Sequence, residues 1–278
     1  MQVFGESLGL EAAEQARRIE EQGYDGLVAV DHFFSARAAS PPRWRVQPLV
    51  ALGAAAAATS RITLAAMVMN VNFHHPAVIA HAIASLDQLS KGRAELGLGS
   101  GWYRPEHIAF GLPWGSPAAR TERLLEAARV CRAMLENKGA VSHHGAHFQV
   151  DNHVAWEWDT STRPVPVVIG GSRKELLVRA AEVANRVDLL EAKDQSRSAE
   201  TTEALLRSIR DHAAAANNAL RVSATITATA GGGSARLFDR IKTLHELGVD
   251  RIHVIPGGPE PRRTLAAVGE MLRDIHRL

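Results

Sequence analysis

What most limits the fold of this chain is the repeated change of period in its apolar residues. Short, nearly continuous apolar runs alternate with longer stretches spaced at three and four residues, eight times in succession. The strand candidates are Met1–Gly5, Tyr24–Val30, Arg61–Met69, Arg93–Gly99, Val165–Ile169, Arg186–Leu190, Arg221–Thr229 and Arg251–Ile255. A run such as Tyr24–Val30, apolar almost throughout, suits a parallel strand covered on both faces. Between the runs lie helix patterns at Leu10–Gln22, Gln47–Thr59, Pro76–Leu89, Pro117–Leu135, Arg173–Ala184 and Ala199–Asn217. Two more are marked by Leu237, Ile241, Leu244 and Leu247, and by Leu265, Val268, Leu272 and Ile275. Gly23 and Gly248 stop their helices, and Pro76 sits at a tolerated first-turn position. Eight such units predict an α/β protein, a (β/α)8 TIM barrel formed by residues 1–278 as a single domain. The irregular stretch Glu136–Arg163, after the fourth helix, reads as an insertion over one barrel mouth.

The 46% hydrophobic content of the 278 residues is enough for a large core and argues against disorder. A formal charge of +2 without a long basic block gives no support for a nucleic-acid partner. The N-terminus has no charged region followed by an apolar core, and no apolar run reaches membrane-spanning length, so a cytoplasmic location is expected. The one cysteine, Cys131, shares a helix face with Leu124, Ala128 and Leu135, which reads as a buried thiol.

In an α/β barrel, chemistry belongs at the C-terminal ends of the strands. There the chain offers Glu6, Asp31-His32, Asn70, the run from Gly97 to Trp102, and Gly170-Gly171-Ser172. His32 is the acid/base candidate, because imidazole titrates near neutrality and Asp31 precedes it; a histidine bonded to backbone fits equally. His74 and His75 read as packed or exposed loop residues. Gly97, Gly99 and Gly101 lack dinucleotide-fingerprint spacing, and Tyr103-Arg-Pro105 is a poor helix start. These glycines would let backbone approach a flat ring, or simply form a tight turn. Ile169-Gly-Gly-Ser172 joins a strand to a helix, where Ser172 as cap and Arg173 beside it would suit a phosphate; an ordinary capped turn is the alternative. His143, His144, His147 and His153 lack firm ligand spacing, so no metal is expected. Trp102, Trp114, Trp156 and Trp158 are candidate apolar walls for a substrate, with a core or lid role equally physical.

In these segments the chain resembles the luciferase-like flavin monooxygenase superfamily, particularly its deazaflavin-dependent oxidoreductases. The resemblance rests on Gly23–His32, Asn72-Phe-His-His-Pro-Ala77, Ser85–Arg93, Glu95–Trp102 and Ile169-Gly-Gly-Ser172, in family order. It implies that His32 faces a redox ring as proton donor or acceptor with Asp31 beside it. It also implies that Asn70, Gly101 and Trp102 border the ring, that Ser100 belongs to the cofactor site, and that Gly170, Gly171 and Ser172 hold the cofactor phosphate. A bulge in strand three with a cis peptide at Met67–Val68 would bend the strand and open a shelf for the ring. Three departures stand out. Trp102 replaces a glutamate of the sugar-phosphate dehydrogenases in the group, which disfavours that substrate. Ser100 replaces an arginine that clamps phosphate in some flavin-mononucleotide members, which favours the deazaflavin coenzyme F420 over FMN. Ala184-Asn-Arg-Val187 replaces the usual Ala-Asp-Gly.

The resulting expectation is an oxidoreductase moving a hydride between coenzyme F420 and a small organic substrate. The family resemblance adds a homodimer. The alternatives are an FMN-dependent two-component monooxygenase and, in another class, a cofactor-binding barrel without turnover.

Overall fold

The structure is a computed structural model, and it describes residues 1–4, 11–34, 44–136, 139–153, 163–191, 198–229, 234–257 and 260–275. Its strands are β1 (Gln2–Phe4), β2 (Gly26–Ala29), β3 (Thr63–Asn70), β4 (Ala94–Gly99), β5 (Val141–His144), β6 (Gln149–His153), β7 (Val167–Gly171), β8 (Arg186–Leu190), β9 (Arg221–Thr229) and β10 (Arg251–Gly257). Its helices are α1 (Ala12–Glu21), α2 (Pro48–Ala58), α3 (Pro76–Leu89), α4 (Arg104–Ala109), α5 (Pro117–Glu136), α6 (Lys174–Ala180), α7 (Ala199–Ala215), α8 (Ser234–Glu246) and α9 (Pro261–Ile275).

Eight of the strands close into a parallel barrel in the order β1-β10-β9-β8-β7-β4-β3-β2, which is the expected TIM barrel. Local chemistry explains the helix starts. Gln47 accepts from the Leu49 and Val50 amides ahead of Pro48 in α2, and the His75 ring accepts from Ala77 N at the start of α3. His75, exposed as the sequence reading had it, therefore also works as a cap. The Arg93 guanidinium closes the other end of α2 with bonds to the carbonyls of Ala56, Thr59 and Ile62.

Two elements differ from the sequence expectation. The stretch after α5 carries an antiparallel hairpin, β5–β6, too short and polar to show a period. Glu126 of α5 anchors it by accepting from the His147 and Phe148 amides, and Phe148 meets His75 at the mouth-side end of α3. The second is α4, which forms despite Pro105 because proline is tolerated in a helix's first turn. Glu6, Trp156 and Trp158 lie outside the described residues, as does the His153 side chain.

The barrel interior is layered. Toward its N-terminal end, Gln2, Arg186 and Arg251 converge on Glu95. Burial pushes the Glu95 carboxyl upward, but Arg251 and Arg186 outweigh it and hold the group below its ordinary range. Asp188 is held below its range in the same way, with burial opposed by His253 and by bonds from His253, Thr225 and Ser223. Above lies a small apolar cluster of Val28, Ala65, Met67 and Val168, with Phe4 and Val68 against it.

At this level β3 bulges: its register with β4 shifts between Ala66 and Met69, and the Met67–Val68 peptide is cis, as the resemblance implied. β4 fits the bulge because it lacks side chains there. A Cβ at Gly97 would overlap Met67, one at Gly99 would overlap Val68, and one at Gly101 would fall 2.8 Å from Asn70 Nδ2. The glycine run thus accommodates the chain's own bulge, a third reading besides a ring approach or a tight turn. Among the described residues, no helix is long and apolar enough to cross a membrane.

Adding the missing methyl at Gly99 should therefore be costly. Gly99→Ala is expected to lower stability by about 1–3 kcal/mol, read as a lower thermal midpoint. Part of that loss should vanish when Val68→Ala is made in the same chain. Equal costs with and without Val68→Ala would mean that Val68 does not fill that space.

Candidate functional site

The strand ends bring Asp31, His32, Asn70, Ser100, Gly101, Trp102, Gly170 and Gly171 to one face of the barrel, as expected. The pairing within that set is different from the one that chain proximity suggested. His32 is not held by Asp31. Its Nδ1 lies 2.8 Å from Oε2 of Glu106, on α4, whose side chain is 1% exposed. Oε1 of Glu106 accepts from the Phe33 and Phe34 amides at 2.6 and 3.3 Å, so one carboxylate holds both the ring and the backbone behind it. Asp31 instead accepts from Asn70 N at 2.9 Å and pairs with His74 Nε2 at 3.0 Å. His74, read from sequence as packed or exposed, is thus part of the strand-end network.

Asn70 is buried, and both ends of its side-chain amide are bonded. Its Oδ1 accepts from Asn72 N and Nδ2, and Asn72 also donates to the Ser100 carbonyl. Its Nδ2 lies 3.3 Å from Nε2 of His107, the neighbour of Glu106 on α4. His107 Nδ1 is 2.8 Å from the Pro113 carbonyl, which can only accept, so His107 carries its proton on Nδ1 and receives the Asn70 amide on Nε2. Consecutive residues of one short helix therefore secure the ends of β2 and β3. Both were missed because a six-residue helix opening on Arg104-Pro105 has no readable period.

Trp102, 55% exposed, meets the His32 ring edge to face at 5.6 Å between centroids. Around it the mouth is aromatic: Phe33 stacks on Phe73 and Phe110, and Phe34 meets Tyr103. Trp114 packs instead against His107 and beneath the Arg120 guanidinium, 3.8 Å from its ring centroid. Val68, Ser100, Gly101, Gly170 and Gly171 are partly exposed while Met67, Met69 and Asn70 beside them are buried. That pattern leaves a shelf of backbone and one apolar side chain.

At the β7–α6 turn the residue in the cap position is not the expected one. Arg173 occupies the cap position of α6 without a side-chain bond to the helix, and Ser172 precedes it. What the turn does present is charge, with Arg173 and Lys174 both exposed. Burial, and then the nearby Arg173, hold the Arg120 guanidinium below its usual value. Among the described residues, no group of three or more His, Cys, Asp or Glu side chains could hold a metal ion. His143 pairs with Glu126 and His144 with Gln149. Cys131 is buried, and that burial pushes its thiol up.

Known proteins resemble this chain in sequence and in fold. An uncharacterised protein of Mycobacterium tuberculosis is 32% identical over 188 residues, 62% of this chain and 64% of its own. An F420-dependent glucose-6-phosphate dehydrogenase of Nakamurella multipartita is 31% identical over 215 residues, 75% of this chain and 58% of its own. The matches thus span less than two thirds of those relatives. The structure of an F420-dependent secondary alcohol dehydrogenase in complex with an F420-acetone adduct superimposes with a TM-score of 0.78 at 17% identity, covering 96% of this chain and 97% of that one, a likeness of fold. The family profile described as luciferase-like monooxygenase matches residues 10–243, and the chain belongs to that family.

Proposed function

We propose that this chain is an oxidoreductase that moves a hydride between the deazaflavin coenzyme F420 and a small organic substrate, with His32 handling the proton. The observation that carries the reading is His32 itself. It is an imidazole anchored on a buried carboxylate, partly exposed at the barrel mouth beside Trp102, next to the strand-three shelf. A histidine kept only for packing needs no such opening.

The residues fit the coenzyme. The partly exposed backbone at Ser100, Gly101, Gly170 and Gly171, with Val68 between, suits a flat ring, because no long side chain rises from it. Arg173 and Lys174 supply positive charge for a phosphate, in place of the cap first assigned to Ser172. Ser100, standing where some relatives carry a phosphate-clamping arginine, favours the deazaflavin over FMN, and several curated relatives are named as F420-dependent enzymes. Bound here, the coenzyme would supply a ring carbon that takes or gives a hydride. This chain's part is to hold the ring, exclude water with the aromatic mouth, and exchange the substrate proton at the His32 imidazole. Trp102 puts an apolar surface where relatives acting on sugar phosphates carry a carboxylate, which supports an uncharged alcohol or carbonyl substrate.

The experiment is an absorbance assay of F420 with a panel of alcohols, and of the reduced coenzyme with carbonyl compounds. His32→Ala is expected to lower turnover by about 10²–10⁴, the range a general acid or base supplies, with coenzyme affinity little changed. Turnover within a few-fold of the parent would remove His32 from the reaction. A separate prediction concerns the phosphate. Arg173→Glu should weaken coenzyme binding by about tenfold at low ionic strength, and by less in high salt, because exposed charges are screened. Unchanged affinity at low salt would place the phosphate elsewhere.

A further inference from the structure

An imidazole exchanges a substrate proton through one nitrogen, and the partner of its other nitrogen decides the form of the first. For His32 that partner is Glu106, through Nδ1 at 2.8 Å. Among the described residues, none bonds Nε2. We infer that Glu106 is a positioning residue which fixes the neutral His32 ring with its proton on Nδ1 and leaves Nε2 as the free acceptor at the mouth.

The two carboxylate oxygens have separate tasks. Oε1 takes the Phe33 and Phe34 amides, and Oε2 is left to the ring. A carboxylate offers lone pairs and no proton, so the bond to Oε2 requires an N–H on the histidine side. The side chain is almost fully buried and His107, the next residue, is tied to Asn70 and Pro113. The carboxylate therefore has little room to turn away. A merely structural Glu106 would need only Oε1, to tie the chain after β2 to α4. The second oxygen is what reaches the ring, and it does so where Asp31, the neighbour in sequence, is engaged with Asn70 and His74.

The bonding pattern predicts the behaviour of an isosteric variant. In Glu106→Gln the two backbone N–H groups demand an acceptor at the Oε1 position, so the carbonyl oxygen of the amide must face them. Its NH₂ then faces His32 Nδ1, which can satisfy it only as an acceptor. The ring proton must move to Nε2, the nitrogen that the proposed reaction needs free. Loss of charge alone would not reverse the ring; the orientation imposed by Phe33 and Phe34 does.

The catalytic consequence rests on the function proposed above, whereas the tautomer does not. The test is nitrogen NMR of the purified full chain labelled with ¹⁵N-histidine, with the His32 signals assigned by their loss in His32→Ala. The parent protein is expected to show a protonated Nδ1 and an unprotonated Nε2 at a pH where the ring is neutral, and Glu106→Gln the reverse. Glu106→Asp, which keeps a carboxylate, should retain the parent pattern. Turnover in Glu106→Gln should fall about tenfold or more while coenzyme affinity stays within about twofold, with partial recovery in Glu106→Asp. A proton on Nε2 in the parent, or an unchanged pattern in Glu106→Gln, would overturn the inference. Should Glu106→Gln not fold, the parent and Glu106→Asp decide: a proton on Nε2 in either overturns it, and on Nδ1 in both supports it. Full turnover in His32→Ala alongside the expected tautomer would sink the proposed reaction and leave the positioning by Glu106 standing.

Discussion

The upper half of this barrel depends on one packing relation, that between the bulge of β3 and the glycines of β4. Met67 and Val68 project where a regular parallel neighbour would carry side chains, and Gly97 and Gly99 leave the room they take. Gly170 on β7 continues the accommodation, since a Cβ there would lie 3.3 Å from Val68. Because barrel interiors are packed to near-crystalline density, a protrusion on one strand has to be matched by missing volume on its neighbours. The same relation shapes the proposed site. The bulge leaves Val68 partly exposed among buried neighbours, and the glycines keep the surface beside it low.

The rim above this layer is held by polar bonds rather than by packing. α4 reaches β2 through Glu106 and β3 through His107, while Asp31 ties the two strand ends together through Asn70 N. Each buried polar group in this set has a partner, the condition under which such a network orders its surroundings instead of weakening them. The layout therefore separates tasks. Asn70 and Asp31 tie the strand ends together, Glu106 divides its two oxygens between the backbone after β2 and the His32 ring, and His32 and the aromatic walls face the mouth.

The fold was legible from sequence because its signal is collective. Eight changes of period cannot be mistaken one at a time, and Gly23, Gly248 and Pro76 mark helix ends by mechanisms that act locally. The strand-end placement of the candidate residues was legible too, since His32, Asn70, Trp102 and Gly170 lie where strands end. The pairing of their side chains was not. Asp31 precedes His32, but successive residues leaving a strand diverge, so proximity in the chain misassigned the carboxylate. Glu106 lies 74 positions away on a helix too short to show a pattern. Ser172 had the right chemistry for a cap, yet the helix began one residue later than its cap position required, so Arg173 took the place. The cis peptide at Met67–Val68 came from family resemblance alone, because nothing in Met or Val signals it.

The account stands on the mouth being built for a deazaflavin. Fluorescence titration of the purified chain with coenzyme F420 and with FMN, in one buffer, tests that most directly. On the proposed placement, with Ser100 where some flavin-mononucleotide members carry an arginine and the phosphate near Arg173 and Lys174, F420 should bind the more tightly of the two. Equal affinity, or tighter binding of FMN, would contradict it.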